Sequence, residues 1–128
     1  MRVLLDTHIL LWAVGDPARL SREARETILD STNEVLFSAA SIWEIAIRSQ
    51  VRRRDFFAEA ARVAAAAIDT GFTEMPIRSR HAALTARLPM HHRDPFDRLL
   101  VAQAMSEPVR LLTVDAKLGK YSELVLVM

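Results

Sequence analysis

The stretch Asp94–Met105 constrains the fold more than any other, because a helix start leads into an almost entirely apolar helix. Asp94 can accept hydrogen bonds from the first backbone N–H groups of that helix, and Pro95 suits the first helical position. A helix that is apolar on nearly every side is buried. Asp97 therefore lies at the edge of the core, where a carboxylate is costly unless it is capped, paired or bound to a metal ion.

Short apolar runs alternate with helical segments along the chain, which predicts an α/β fold. We expect a central parallel sheet of four or five short strands, flanked by helices on both faces. At 128 residues the chain fits a single domain, 1–128. Strands are predicted at Val3–Leu5, Glu34–Ser38, within Phe72–Ile77, at Arg110–Thr113 and at Leu124–Val127. Helices are predicted at Thr7–Val14, Ser21–Leu29, from Ala39 onward, Phe56–Ile68, Ser79–Leu88 and in the stretch Asp94–Met105.

Four acidic residues fall where the carboxyl ends of these strands would meet. Asp6 ends the first strand, and Asp115 lies just beyond the fourth. Glu44 lies about one turn into the helix after the second strand, and Asp97 lies in the first turn of the helix that leads to the fourth. Because ligands of parallel sheets bind outside the carboxyl ends of the strands, we expect these side chains to share one rim.

Carboxylates crowded at one small site cannot all be ionised without a counter-charge. A hard divalent cation resolves this conflict, since Mg²⁺ and Mn²⁺ both take oxygen ligands. Such an ion can activate water and stabilise the charge that develops on a phosphodiester. The acidic cluster therefore suggests metal-dependent hydrolysis of phosphodiester bonds.

Each acid also has a purely structural interpretation. Asp6 and Asp115 could cap the helical turns that follow them. Glu44 has the spacing of a capping-box glutamate, and Asp97 could bond back to the Asp94 backbone. Capping does not require all four acids on one rim, which favours the metal interpretation. Asp94 itself is expected to act as a helix cap, with a supporting role at the metal as the alternative.

Histidines and tryptophans are weaker candidates. His91 and His92 with Asp94 could form a transition-metal site, but adjacent side chains in a loop point in different directions. Trp12 and Trp43 are expected in the core rather than as platforms for stacked bases.

Charge and composition exclude several classes of protein. A net charge of +1 excludes a globally basic nucleic-acid coat, so any contact with nucleic acid must use a local patch. Arg48 and Arg52–Arg54 are expected to be solvated, with phosphate contact as the alternative. With three glycines the chain has no glycine-rich phosphate loop, which argues against dinucleotide binding and ATP hydrolysis. The absence of cysteine, and of apolar runs near the roughly 20 residues of a membrane span, favours a cytoplasmic protein.

Four stretches of the chain resemble PIN-domain ribonucleases and, within them, VapC-type toxins of bacterial toxin–antitoxin pairs. They occur in family order and are Leu4–His8, Ser41–Ala46, His92–Ala104 and Leu112–Asp115. Any one of these stretches alone is weak evidence for the resemblance, but four of them in this order and spacing are specific to the family. The resemblance implies a catalytic Mg²⁺ or Mn²⁺ site formed by Asp6, Glu44, Asp97 and Asp115. It also implies supporting hydrogen bonds from Thr7 and Thr113.

The resemblance further implies an endoribonuclease that acts on RNA, forms a homodimer and is covered by a small antitoxin. Where many relatives carry a Gly-Lys-Leu turn, this chain has Val51–Arg54, so the local turn and any substrate contact there are open. One alternative is a non-catalytic binding module of the same fold, whose acidic pocket docks a basic partner peptide. Another is a DNA nuclease of the related flap or 5′-nuclease group, although the chain lacks room for additional DNA-gripping elements.

Overall fold

A parallel β-sheet forms the centre of the computed structural model, which describes residues 1–51 and 59–128. Its strands are β1 (Arg2–Leu5), β2 (Glu34–Ser38), β3 (Thr73–Met75), β4 (Arg110–Thr113) and β5 (Val125–Val127). The strand order is β3-β2-β1-β4-β5, and every neighbouring pair is parallel. The predicted α/β class with a parallel sheet is confirmed.

Six helices connect the strands in the described part of the chain. They are α1 (Thr7–Gly15), α2 (Arg22–Leu29), α3 (Ala39–Val51), α4 (Ala60–Thr70), α5 (Ser79–Leu84) and α6 (Pro95–Ser106). Short 3-10 helices occur at Pro17–Arg19, Thr85–Arg87 and Ala116–Lys120. The predicted helix start at Phe56 and the basic stretch Arg52–Arg54 lie outside the described residues. The helix ends at Thr70, two residues beyond the predicted Ile68, and Gly71 follows it with a φ of 102°.

The two faces of the sheet carry separate hydrophobic clusters. Leu5 of β1 packs on one face with Ile9 of α1 and Ile45 of α3, whereas Leu4 packs on the other face with Leu100 and Val101 of α6. Successive residues of a strand point to opposite faces, so the central strand β1 is buried on both sides. α6 is buried as its apolar sequence predicts, and its burial places the first helical turn, with Asp97, at the carboxyl end of the sheet.

A buried polar contact joins α6 to the carboxyl end of β2. The Ser38 hydroxyl donates to Gln103 Oε1 at 2.6 Å, and Gln103 Nε2 donates to the Pro76 carbonyl at 3.3 Å. Buried amides need such partners, because an unpaired buried polar group costs about 1–3 kcal/mol. The contact fixes α6 relative to the strand ends that carry the acids.

The prediction that both tryptophans lie in the core is half wrong. Trp12 is partly buried and packs against the core, but Trp43 is 56% exposed. The reason is helical spacing on α3: Ser41, Glu44 and Ile45 face inward, so Trp43 points outward on the opposite side. Within the described ranges, no helix combines the length and apolar character needed to cross a membrane.

Candidate metal and catalytic site

Asp6 follows β1 directly and lies at the carboxyl end of the sheet. Its Oδ1 accepts from the Ile9 backbone N–H at 2.8 Å, which caps α1, and its Oδ2 accepts from the Thr113 hydroxyl at 2.5 Å. The residue is only 4% exposed, and this burial raises the pKa of the Asp6 carboxyl above its ordinary value of 3.8. The capping role and the Thr113 contact therefore coexist on one carboxylate.

Glu44 is buried on α3 and faces α1. Its Oε1 accepts from the Thr7 hydroxyl at 2.6 Å, and its Oε2 accepts from Arg48 Nε at 2.7 Å. The Thr7 hydroxyl lies 3.0 Å from the Ser41 hydroxyl. The capping-box interpretation of Glu44 is wrong, because α3 already begins at Ala39 and Ser41 lies inside the helix.

Asp94 connects this acid to the start of α6. Its Oδ1 accepts from the backbone N–H groups of Phe96 at 2.8 Å and Asp97 at 3.2 Å, so it caps the helix as predicted. Its Oδ2 accepts from Arg48 Nη2 at 3.3 Å. Arg48 is therefore not the solvated side chain that its sequence context predicts. Its side chain is 42% exposed, and its guanidinium bridges the Glu44 and Asp94 carboxylates.

Asp97 and Asp115 lie together with a histidine that sequence reasoning set aside. Potential metal-binding atoms of His92, Asp97 and Asp115 all lie within 4.8 Å of one another. His92 Nε2 is 2.8 Å from Asp115 Oδ2 and 3.6 Å from Asp97 Oδ2.

Asp115 Oδ1 accepts from the Lys117 N–H at 2.9 Å, which is its predicted capping role. The alternative in which the Asp97 carboxylate bonds back to the Asp94 backbone is wrong, because the Asp94 N–H donates to His92 Nδ1.

Only one histidine of the adjacent pair reaches the acids. The His91 ring packs edge-on against Tyr121, with ring centroids 5.0 Å apart. The His92 ring turns inward because its Nδ1 accepts from the Asp94 backbone N–H at 3.0 Å. The spacing His-x-Asp is the local sequence signal for this orientation. The two adjacent histidines do point in different directions, as expected, but this excludes His91 alone from the acidic cluster.

Negative charge accumulates around Asp97. Burial, and after it the nearby charges of Asp94, Glu44 and Asp6, together raise the pKa of the Asp97 carboxyl to about 7. A carboxylate oxygen of Asp115 also lies within 4.8 Å of one of Asp97. Asp97 is thus the common neighbour of the other three acids predicted from the sequence, Asp6, Glu44 and Asp115.

A divalent cation fits this arrangement on chemical grounds. Most of the available donor atoms are carboxylate oxygens, the ligands that hard cations prefer. Burial and the neighbouring carboxylates raise the pKa of Asp97, so a bound cation would favour its ionised form. The groups that could hold a cation are Asp97 and Asp115, with His92 in contact with both and with Asp6 and Glu44 close enough to affect the charge of Asp97.

Comparison with known proteins agrees with the fold and identifies the family. A profile of the PIN domain family matches residues 3–124. Ribonuclease VapC22 of Mycobacterium tuberculosis is 30% identical over 123 residues, which are 93% of this chain and 91% of that protein. The fold is similar to the crystal structure of VapBC2 from Rickettsia felis bound to a DNA fragment from their promoter, with a TM-score of 0.69 at 16% identity. That match covers 98% of this chain and 97% of the other.

The parallel sheet with acids at its carboxyl end defines an α/β domain of the PIN class. The chain belongs to the PIN domain family, in its VapC-type branch. The resemblance seen in the four sequence stretches is thereby confirmed.

We expect Asp97→Asn to stabilise the metal-free protein at about pH 8 and to have little effect near pH 4. The pKa of Asp97 is about 7 in the folded protein against an ordinary value of 3.8. Ionisation therefore opposes folding increasingly as the pH rises from about 4 to about 7. The gain at about pH 8 should be about 1–3 kcal/mol after allowance for solvent screening.

Urea denaturation of both proteins in EDTA, repeated across this pH range, measures the difference. Asp69→Asn, at an exposed position of α4, is the matched control. Equal stability of Asp97→Asn and the wild type at about pH 8 would contradict the prediction.

Proposed function

We propose that this chain is a metal-dependent endoribonuclease, the toxin of a toxin–antitoxin pair, which hydrolyses RNA phosphodiester bonds. The observation that carries the proposal is the convergence of the acids Asp6, Glu44, Asp97 and Asp115 at the carboxyl end of the sheet. The sequence identity to Ribonuclease VapC22 over nearly the whole of both chains supports the choice of RNA.

Asp97 and Asp115 are proposed to bind the cation, Mg²⁺ or Mn²⁺, with Asp6 as a third carboxylate. When bound, such an ion lowers the pKa of water and stabilises the charge that develops on the phosphodiester. Asp6 is held for this role, because the Thr113 hydroxyl and the Ile9 N–H fix both of its oxygens. Carboxylates that are oriented in advance need little rearrangement when the cation arrives.

Glu44 is proposed to act beside the cation rather than as its main ligand. Each of its oxygens already accepts a bond from the protein, one from Thr7 and one from Arg48. A carboxylate oxygen has a second lone pair, so Glu44 can still accept a hydrogen bond from a water molecule and orient it towards the phosphate. The ion pair with Arg48 holds this carboxylate in a fixed orientation.

A small antitoxin is the proposed protein partner. The fold neighbour from Rickettsia felis is described as VapBC2 bound to promoter DNA. In this chain, the acidic edge of the sheet offers several carboxylates to a basic segment of a partner. The bridge from Arg48 to Glu44 and Asp94 shows that a guanidinium fits at this edge. The same bridge favours the alternative function, a non-catalytic module that docks a basic peptide.

A homodimer is proposed to form through the exposed aromatic surface beside the site. Trp43 packs edge-on against Phe96, with ring centroids 5.2 Å apart. Ile47, one turn along α3 from Trp43, is also exposed. A shallow apolar groove continues the surface and is lined by Trp43, Ala82, Thr85, Pro95, Phe96 and Leu99. Contiguous exposed apolar surface of this kind is typical of protein interfaces.

Asp97→Asn should abolish cleavage of a labelled RNA strand while preserving the fold, as judged by circular dichroism. The substitution keeps the size of the side chain but removes the charge needed to hold the cation. Asp69→Asn is again the control and should cut at the wild-type rate. A DNA strand of matched sequence, tested in parallel, separates a ribonuclease from a DNA nuclease. Full activity of Asp97→Asn with metal present would refute the site assignment.

Removal of metal ions should stop cleavage, and Mg²⁺ or Mn²⁺ should restore it. Calorimetry on the EDTA-treated and dialysed protein should detect binding of Mn²⁺, and Asp97→Asn should weaken that binding. An undiminished rate in chelator would exclude the metal mechanism. Absence of any binding in the calorimeter would favour the docking module.

Trp43→Ser should weaken a dimer without unfolding the protein, because this side chain is more than half exposed. Loss of a buried interface tryptophan typically costs about 2 kcal/mol, which corresponds to a roughly 30-fold increase in the dimer dissociation constant. Light scattering at several concentrations measures the change. Leu29→Ser, at the 74% exposed end of α2, is the control. A dimer unaffected by Trp43→Ser would place the interface elsewhere.

A further inference from the structure

His92 is the group at the acidic edge that the family resemblance leaves without a role. Its side chain is 17% exposed and contacts two of the proposed metal-binding carboxylates. We propose that His92 is a positioning residue, which donates from Nε2 to Asp115 and does not bind the metal. The inference rests on the proposed function, because it concerns how that site holds its cation.

The tautomer of the His92 ring follows from its contact with Asp94. The Asp94 backbone N–H lies 3.0 Å from Nδ1. A backbone N–H can only donate, so Nδ1 must supply the lone pair and carry no proton. The proton of the neutral ring is then on Nε2, which points at Asp115 Oδ2 at 2.8 Å. The ring therefore presents a donor to the carboxylates.

A ring in this state is unsuited to bind a metal. Binding through Nε2 requires a lone pair on that nitrogen, so the proton would have to move to Nδ1. The Nδ1 proton would then meet the Asp94 N–H, and a hydrogen bond would be replaced by two opposed donors. Asp94 cannot easily turn away, because its carboxylate caps α6 through Phe96 and Asp97.

The backbone of His92 is also fixed. Its N–H donates to the Tyr121 hydroxyl at 2.9 Å. Arg98 Nη1 donates to the same hydroxyl at 3.1 Å and to the His92 carbonyl at 3.4 Å. Arg98 Nη2 donates to the Leu88 carbonyl at 3.2 Å, which ties the preceding loop to α6. The backbone that carries the ring is thus held by Arg98 of α6 and by Tyr121, which follows the last 3-10 helix.

This arrangement has a consequence for metal selectivity. If His92 only donates, the cation is held by carboxylate oxygens, a donor set suited to Mg²⁺ and Mn²⁺. An imidazole ligand would instead favour Zn²⁺ or Ni²⁺. Second-sphere donors that orient a metal-binding group typically change metal affinity by about 10- to 100-fold when removed.

The first test is the tautomer itself, measured by long-range ¹H–¹⁵N NMR on the ¹⁵N-labelled, metal-free chain. We expect the proton on Nε2, with the His92 signals identified by their loss in His92→Gln. His81 provides an internal reference, because its Nδ1 accepts from the Arg78 N–H at 3.0 Å and the same tautomer is required there. A proton on Nδ1 of His92 would overturn the proposal without bearing on RNA cleavage.

The second test is pulsed electron paramagnetic resonance of the Mn²⁺-loaded protein. We expect no coupling to a directly bound imidazole nitrogen. A nitrogen coupling that disappears in His92→Gln would overturn the proposal and leave the metal-dependent ribonuclease standing. Failure of Mn²⁺ to bind at all would contradict the proposed function, whereas the tautomer result would stand.

The third test uses metal affinity in two variants. His92→Gln keeps an N–H donor near the position of Nε2, so we expect Mn²⁺ affinity within about threefold of the wild type, against a loss of about tenfold or more in His92→Ala. For a positioning residue, Zn²⁺ and Mn²⁺ affinities should fall by similar factors in His92→Ala. A much larger loss for Zn²⁺ would identify His92 as a ligand.

Discussion

Asp94 makes the contacts through which the parts of the site depend on one another. Its Oδ1 caps α6, its Oδ2 holds Arg48 and through it Glu44, and its N–H orients the ring of His92 towards Asp115. A single residue at the helix start therefore connects acids from α3 and from the end of β4. A shift of this residue would misplace both sides of the site at once.

Structural and functional roles coincide in these hydrogen bonds. A carboxylate has two oxygens and several lone pairs, so one oxygen can cap a helix while the other faces the site. Asp6 and Asp115 both follow this pattern, with one oxygen on a backbone N–H and the other towards a side chain at the site. The same carboxylate can therefore cap a helix and take part in metal binding. The caps orient the carboxylates that the proposed chemistry needs.

The concentration of negative charge has a cost in stability. Asp97 has a pKa near 7 because burial and three neighbouring carboxylates oppose its ionisation. Above that pH the metal-free fold carries an unfavourable interaction, and a bound cation would remove it. The metal-free fold is thus less stable at the pH values at which Asp97 is ionised and available to a cation. The buried helix below Asp97 and the Ser38–Gln103 contact hold the carboxylate in this unfavourable position.

The sequence by itself determined the α/β order, the strands Glu34–Ser38 and Arg110–Thr113, and the acids at the strand ends. These features depend on periodicity and capping within a few neighbouring residues. Only the tertiary structure decided which side chains meet across larger separations. The contact of His92 with Asp115 spans 23 residues, and that of Arg48 with Asp94 spans 46. Such contacts depend on how α3, α6 and the last 3-10 helix pack around the sheet, and that packing is not encoded in any local pattern.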